Sequence, residues 1–222
     1  MNILVVNCGS SSVKTEVIDS SNGKRLLVMN IERLLDSPTI SFGNKKEIPC
    51  EKGHKAALEQ AFPLLQKELD GVKIHAVGHR VVHGGNKIDE ATLVDGTLEQ
   101  LIEDLSDLAP LHNPANLIGI KKAKAFFEGI PHVAVFDTAF HATLPRRAKT
   151  YALPKEIMEK HDIQRYGFHG TSHEYVAQKA AEHLGENIKN LRIITCHLGN
   201  GCSMAAIEYG RSVETSMGLT PL

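Results

Sequence analysis

One pattern occurs twice in this chain. Residues 1–19 read MNILVVNCGSSSVKTEVID, and residues 191–208 read LRIITCHLGNGCSMAAIE. Each is an apolar run, a tight polar turn rich in Gly, Ser or Asn, and a second run. Setting Asn7 against His197 aligns Gly9 with Gly199, Ser10 with Asn200 and Val17 with Ile207. Each copy then reaches a charged turn containing Gly, Asn22-Gly23-Lys24 or Tyr209-Gly210-Arg211, and a third strand. A turn of this composition aims backbone N–H groups and hydroxyls into one small volume, which suits a phosphate. Taken singly, GSSS or GNG makes an ordinary hairpin. Duplication raises the signal and points to duplicated domains with a phosphorylated ligand held between them.

Composition narrows the partners. The 222 residues can bury a real core in one or two domains, and 42% hydrophobic with 23% charged residues fits a globular α/β protein. A formal net charge of −1, no basic block and 5% aromatic residues give nucleic-acid binding little electrostatic support. No apolar run reaches the roughly 18–20 residues that span a bilayer, and the N-terminus carries no signal-peptide pattern. Cys8, Cys50, Cys196 and Cys202 are scattered without a CxxC pair, and Cys8 and Cys196 sit at apolar strand ends. That favours reduced, mostly structural thiols and a cytoplasmic setting.

Along the chain, Ile3–Val6, Val13–Ile18 and Leu26–Ile31 read as strands. Asp36–Pro49 is polar and broken, so loops or irregular strands are expected. Lys52–Leu69 has helical spacing, with Pro63 expected to kink or interrupt it. Ala76–Val82 is a strand running into His83-Gly84-Gly85, and Leu98, Leu101, Ile102 and Leu105 mark an amphipathic helix. Asn113-Pro114 is a cap-plus-Pro helix start with Gly129 at its end. His132–Phe136 is a buried-type strand leading to Asp137, and Thr171-Ser172 can cap a helix that runs to about Leu184 and stops at Gly185. The boundary is expected near Lys149–Pro154, giving a first domain over 1–150 and the start of a second over 151–222. The second copy receives its turn and three strands, and the sequence then stops at Thr220-Pro221-Leu222. Such a sheet leaves an apolar face uncovered, so the chain reads as a fragment or a protein cut short.

Several residues could carry chemistry, each with a plainer alternative. Arg80, at a strand end beside Gly84-Gly85, could grip a carboxylate or phosphate through its planar fork, or could be a surface arginine paired for structure. Asp137 ends the strand HVAVF, where α/β folds place metal-binding or catalytic carboxylates, or it forms a turn. His169 and His173 flank Gly170 at a helix start, a place for an anionic ligand, or they cap and pack. Lys14 alternates with apolar neighbours; it is solvated or reaches back over the turn to phosphates. The pairs His79/His83 and His169/His173 have i, i+4 spacing, but one lies on a strand ending in Gly-Gly and the other spans a turn. A zinc hydrolase is thus the weaker reading.

Together these motifs closely resemble the acetokinase family. The resemblance rests on NCGSSSVK at 7–14, GHRVVHGG at 78–85, LAPLHNPAN at 108–116 and FDTAFH at 136–141. It continues through RYGFHGTSH at 165–173, HLGNG at 197–201 and TSMGLTPL at 215–222, all in family order. It implies an actin-like ATPase fold of the ribonuclease H-like kind: one α/β domain and the beginning of a duplicated second. It implies reversible transfer of the ATP γ-phosphoryl to acetate, giving acetyl phosphate and ADP, in a family that forms cytoplasmic homodimers; the alternatives are a truncated, non-catalytic fragment of such an enzyme and, more weakly, a propionate or butyrate kinase. On that resemblance Asn7 would help place Mg²⁺ and Lys14 would lie near the nucleotide. Arg80 would hold the acyl or phosphoryl group, Asp137 would be the active-site carboxylate, and His169 would stabilise the phosphoryl group in flight. His197, Leu198, Gly199, Asn200 and Gly201 would line the nucleotide-phosphate side. Val82, Leu111, Phe168 and Pro221 would wall the substrate methyl, with Val82 favouring acetate over longer acyl groups. The family pattern continues past this sequence, through a glycine-rich segment bearing a second arginine. A glycerol or sugar kinase fits less well, since those substrates carry a hydroxyl that must lose its proton.

Overall fold

The computed structural model describes residues 1–43 and 47–221. It is a mixed α/β structure whose chain forms two compact units. One contains Met1–Val81 and Thr92–Val135; the other contains Val82–Ala91 and the chain from Phe136 onward, so Lys149–Pro154 lies inside the second.

The first unit begins with three strands in antiparallel succession: β1 (Asn2–Cys8), β2 (Val13–Asp19) and β3 (Lys24–Glu32). Their period-2 alternation drives Leu4, Val6, Val13, Val17, Met29 and Ile31 into one face, each no more than 2% exposed. Two short strands, β4 (Thr39–Phe42) and β5 (Ile48–Pro49), extend this edge inside the segment expected to be irregular. Residues 44–46 of that segment lie outside the described residues. Helix α1 (His54–Glu68) packs Leu58, Phe62 and Leu65 into the same core. It continues through Pro63 without interruption. Pro63 is on the exposed side, so the hydrogen bond its ring nitrogen cannot give is lost where water can satisfy the carbonyl.

Strand β6 (Ala76–Val81) lies parallel to β1 with Val6 opposite His79. Then come β7 (Thr92–Leu93), α2 (Gly96–Asp104), α3 (Asn113–Phe126) and β8 (His132–Phe136). The sheet order is β5-β4-β3-β2-β1-β6-β8-β7. Asp95 caps α2, its side chain accepting from the Leu98 N–H at 2.8 Å. The cap of α3 is His112, not the expected Asn113, whose amide instead reaches the Ile102 carbonyl; Pro114 still falls in the first turn, where its missing N–H costs nothing.

The second unit holds the short helices α4 (Arg146–Lys149) and α5 (Lys155–Lys160), the long helix α6 (Gly170–Leu184), and a separate three-stranded sheet. That sheet is β9 (Arg192–Leu198), β10 (Cys202–Glu208) and β11 (Arg211–Thr215), in the order β11-β10-β9. Gly185 ends α6 in the left-handed conformation, as expected, but its N-cap is His169, with Thr171 and Ser172 inside the helix. The sequence repeat is therefore real as topology: both copies are antiparallel three-stranded meanders. It is shifted by one residue in register. Asn7 pairs with Lys14 across a four-residue turn, whereas Cys202 already pairs with Leu198 across three residues and His197 with Ser203. A one-residue difference flips one strand's faces relative to its partner. Asn7 thus stands beside the buried row Leu4, Val6 and Cys8, while His197 lies on the face of β9 that carries buried Thr195. Cys8 is buried and its thiol is pushed up to about 12 by desolvation, but Cys196 is exposed, a correction to the structural role expected of it.

Candidate active site

In the first unit, three of the expected site residues meet at the ends of β1, β2 and β6. Cross-strand pairing sets Lys14 opposite Asn7, and parallel pairing brings Arg80 alongside. Arg80 Nη1 donates to Asn7 Oδ1 at 3.2 Å, and Lys14 is exposed. The adjoining Gly9–Ser12 turn is pinned from beneath. His54 Nε2 donates to the Gly9 carbonyl at 2.7 Å, Asn116 Nδ2 donates to the Cys8 carbonyl at 2.7 Å, and the Gly9 N–H closes onto Ser12 O at 2.8 Å. Ser10 and Ser11 stay exposed. Asn116 belongs to the LHNPAN motif, but its role in holding a turn 108 residues away is a tertiary fact.

The residue before Arg80 faces the other way. His79 is 2% exposed, its ring stacked on His132 at 5.2 Å and its Nε2 lying 2.9 Å from His132 Nδ1. His132 Nε2 donates to the Phe127 carbonyl, so its Nδ1 must accept and His79 Nε2 must carry the proton. Burial above all, then the nearby His132 and Lys124, lowers the His79 pKa to about 3. His79 is a neutral core strut beneath the arginine, not half of an i, i+4 metal pair.

In the second unit the geometry centres on the start of α6. Asp137 is 1% exposed, and its backbone carbonyl accepts the Gly170 N–H at 2.9 Å. A Cβ on Gly170 would lie 2.3 Å from that carbonyl oxygen, which is why glycine stands there. His169 sits just before, in the left-handed region with φ 59° and ψ 24°, a strained backbone for a non-glycine residue. Its ring stacks on His197 at 4.0 Å and 18°, and its Nδ1 lies 2.8 Å from Ser203 Oγ. His197 Nδ1 lies 2.9 Å from Ser172 Oγ. A Cβ on Gly201 would come within 3.0 Å of the His169 ring, so the Gly199–Gly201 turn presses its backbone close to that imidazole. Asn200 and Leu198 are exposed, Leu198 by 75%.

Of the four residues expected around a substrate methyl, Val82 and Phe168 fall in one buried cluster with Tyr166 and Met217, and Pro221 is partly buried in the same unit. Leu111 lies in the first unit and is 70% exposed. Three further residues take part in these contacts without a sequence motif that assigns them a role: Ser203, Thr195 and His141. His141 Nε2 donates to the Phe168 carbonyl at 3.0 Å and its Nδ1 lies 2.8 Å from Ser212 Oγ. The available signal was hydroxyls at alternating, inward positions of strands that should have been aliphatic. Among the described residues no group of three or more His, Cys, Asp or Glu side chains is placed to hold a metal ion, and no helix is long and apolar enough to cross a membrane.

Comparison with known proteins then decides the family. The model of the acetokinase family matches residues 2–222. The chain belongs to the acetokinase family. It is 50% identical to an acetate kinase of Clostridium novyi (strain NT), over 100% of this chain and 58% of that protein. The crystal structure of Porphyromonas gingivalis acetate kinase superposes with a TM-score of 0.90 at 40% identity, over 99% of this chain and 58% of that one. A propionate kinase from Francisella tularensis subsp. tularensis SCHU S4 superposes at 0.89 with 42% identity, also over 99% and 58%. The chain thus spans somewhat more than half the length of these acetokinase relatives.

Proposed function

We propose that this chain carries the acyl-gripping and phosphoryl-stabilising residues of an acetate kinase, which moves the γ-phosphoryl group of ATP reversibly to acetate. The observation that carries the reading is Arg80, braced by Asn7 at the joined ends of β1 and β6 beside a pinned Gly-Ser turn, in a chain of this family. A guanidinium fork matches a carboxylate or an acyl phosphate better than a lysine would.

The acceptor is ionised at neutral pH, since carboxyls titrate near about 4, so no base is needed in the forward direction. Arg80 orients the acetate oxygen, Asp137 orients the attacking group without removing a proton, and His169 donates to the phosphoryl oxygens as charge spreads over them. Lys14 and the segment His197, Leu198, Gly199, Asn200 and Gly201 serve the phosphates of ATP or ADP. Mg²⁺ fits as an ion carried mainly by phosphate oxygens and water, because Asn7 Oδ1 keeps a second lone pair beyond the one given to Arg80. When bound it would neutralise phosphate charge. A cytoplasmic homodimer belongs to the same reading, and the unpaired cysteines fit that compartment.

The likeness to a propionate kinase supports a second reading of the acyl pocket. Val82 and Phe168, buried in one cluster, favour the shorter acid. A methylene discriminates by only about 10–200-fold. Steady-state rates with acetate and propionate test this: the expected ratio of kcat/KM favours acetate, and a ratio at or below unity transfers the assignment to propionate. Arg80→Ala should lower kcat/KM by about 10²–10³; near-normal turnover would remove Arg80 from the site.

A further inference from the structure

Four side chains of the second unit form a continuous line of hydrogen bonds ending on His169. Thr195 Oγ1 lies 2.7 Å from His173 Nδ1, and Ser203 Oγ lies 2.8 Å from His173 Nε2. The same Ser203 oxygen lies 2.8 Å from His169 Nδ1. Thr195, His173 and Ser203 are 4%, 1% and 1% exposed, so water does not complete these contacts.

Proton counting fixes the direction. A serine hydroxyl has one proton to give, so Ser203 donates to one imidazole and accepts from the other. His173 is neutral, held near pKa 4 mainly by burial, and so has one N–H and one lone pair. Only two directions satisfy both residues. In the first, the Thr195 hydroxyl donates to His173 Nδ1, His173 Nε2–H donates to Ser203, and Ser203 donates to His169 Nδ1. In the reverse, His173 Nδ1–H fills the Thr195 oxygen, and the Thr195 proton needs another acceptor. Among the described residues the Thr195 side chain bonds to His173 and to nothing else. A buried donor left unpaired is costly, so the first direction prevails.

We infer that Ser203, driven by His173 and Thr195, is a positioning residue that fixes His169 with its ring proton on Nε2. This rests on the reading of His169 as the group facing the phosphoryl group, and it explains how a neutral imidazole can greet an anion with a donor and not a lone pair. The ring has little freedom to do otherwise. His197 covers one side at 4.0 Å, Gly201 presses close to Cε1 and Nε2, and the backbone is fixed in the left-handed region. Outer hydrogen-bond partners set tautomer and orientation in this manner for metal-bound histidines too.

The test is long-range proton–nitrogen NMR of the imidazoles in the ¹⁵N-labelled chain at about pH 8, above the ordinary histidine range. Signals are assigned with His169→Gln and His173→Gln. The expected result is a protonated Nε2 on both rings, with His169 Nδ1 shifted as a hydrogen-bonded acceptor. Ser203→Ala should move the His169 Nδ1 signal to that of an acceptor without a donor, and Ser203→Thr should restore it. A proton on His169 Nδ1 in the unaltered chain would overturn the inference, whether or not the variants fold. So would a His169 spectrum indifferent to Ser203→Ala in a folded chain. A chain with the expected spectrum that transfers no phosphoryl group would keep the relay and remove the kinase reading.

Discussion

The two three-stranded meanders share a plan and differ in what they bury. In the first, the inward row is Leu4, Val6, Val13, Val17, Met29 and Ile31, packed with α1 into one apolar core. In the second, the inward row is Thr195, Ser203, Ala205, Ile207, Ser212 and Thr215, and hydroxyls of this row hold His141, His169 and His173. Burying an aliphatic side chain yields roughly 1.5–3 kcal/mol, whereas a hydrogen bond nets about 1. The second copy has exchanged stability for orientation: its strands hold imidazoles in set directions, while the first copy's strands hold a core on which Arg80 and Asn7 can stand. Its opposite face shows the same economy, with Ile194 and Leu198 each 75% exposed and Met204 50%.

That contrast can be broken at four points. Leu4→Ala removes a fully buried side chain from the first copy and should cost about 2–5 kcal/mol in denaturant unfolding; a loss below 1 kcal/mol would mean the first copy is no better packed than the second. Acid is the next lever. The His79 pKa is depressed, so its contribution is fully present above the unfolded value of about 6.5 and is lost progressively as pH falls toward about 3. Between about pH 6.5 and pH 5 this one group should remove about 2 kcal/mol. Thermal unfolding of His79→Gln against pH should show a flatter acid limb than the unaltered chain; equal slopes would contradict the burial argument. In the second copy, Thr195→Val keeps the shape but strands His173 Nδ1, an expected loss of about 1–3 kcal/mol. A neutral or stabilising result would show that the hydroxyl row is ordinary core. Smallest of all, Ile194→Ser on the exposed face should change stability by no more than about 0.5 kcal/mol. A larger loss would reveal that this face is covered in solution.

Much of this was legible in the residues. Apolar runs bounded by polar turns located β1, β2, β3, β8, β9 and β10. Gly185 gave the end of α6, since a left-handed cap favours glycine. The family followed from motif order along the whole chain. Elsewhere local chemistry misled. Pro63 looked like a break, but its exposure makes the lost bond cheap. Thr171 and Ser172 looked like caps, but the close approach of Gly170 to the Asp137 carbonyl starts the helix earlier and leaves Ser172 to bond His197. The alignment of Asn7 with His197 holds along the sequence, yet a turn one residue shorter puts them on faces of different kinds. The hydroxyl row showed in the sequence only as hydroxyls at alternating strand positions, and its purpose did not: Thr195 and Ser203 act through histidines 22 to 34 residues away.

The proposed phosphoryl transfer can be tested directly, by supplying purified protein with acetyl phosphate, ADP and Mg²⁺ and following ATP by luminescence. The account predicts ATP formation that tracks the protein and falls by about 10²–10³ in both Arg80→Ala and His169→Ala. No ATP from the unaltered chain, or an undiminished rate in both variants, would contradict it.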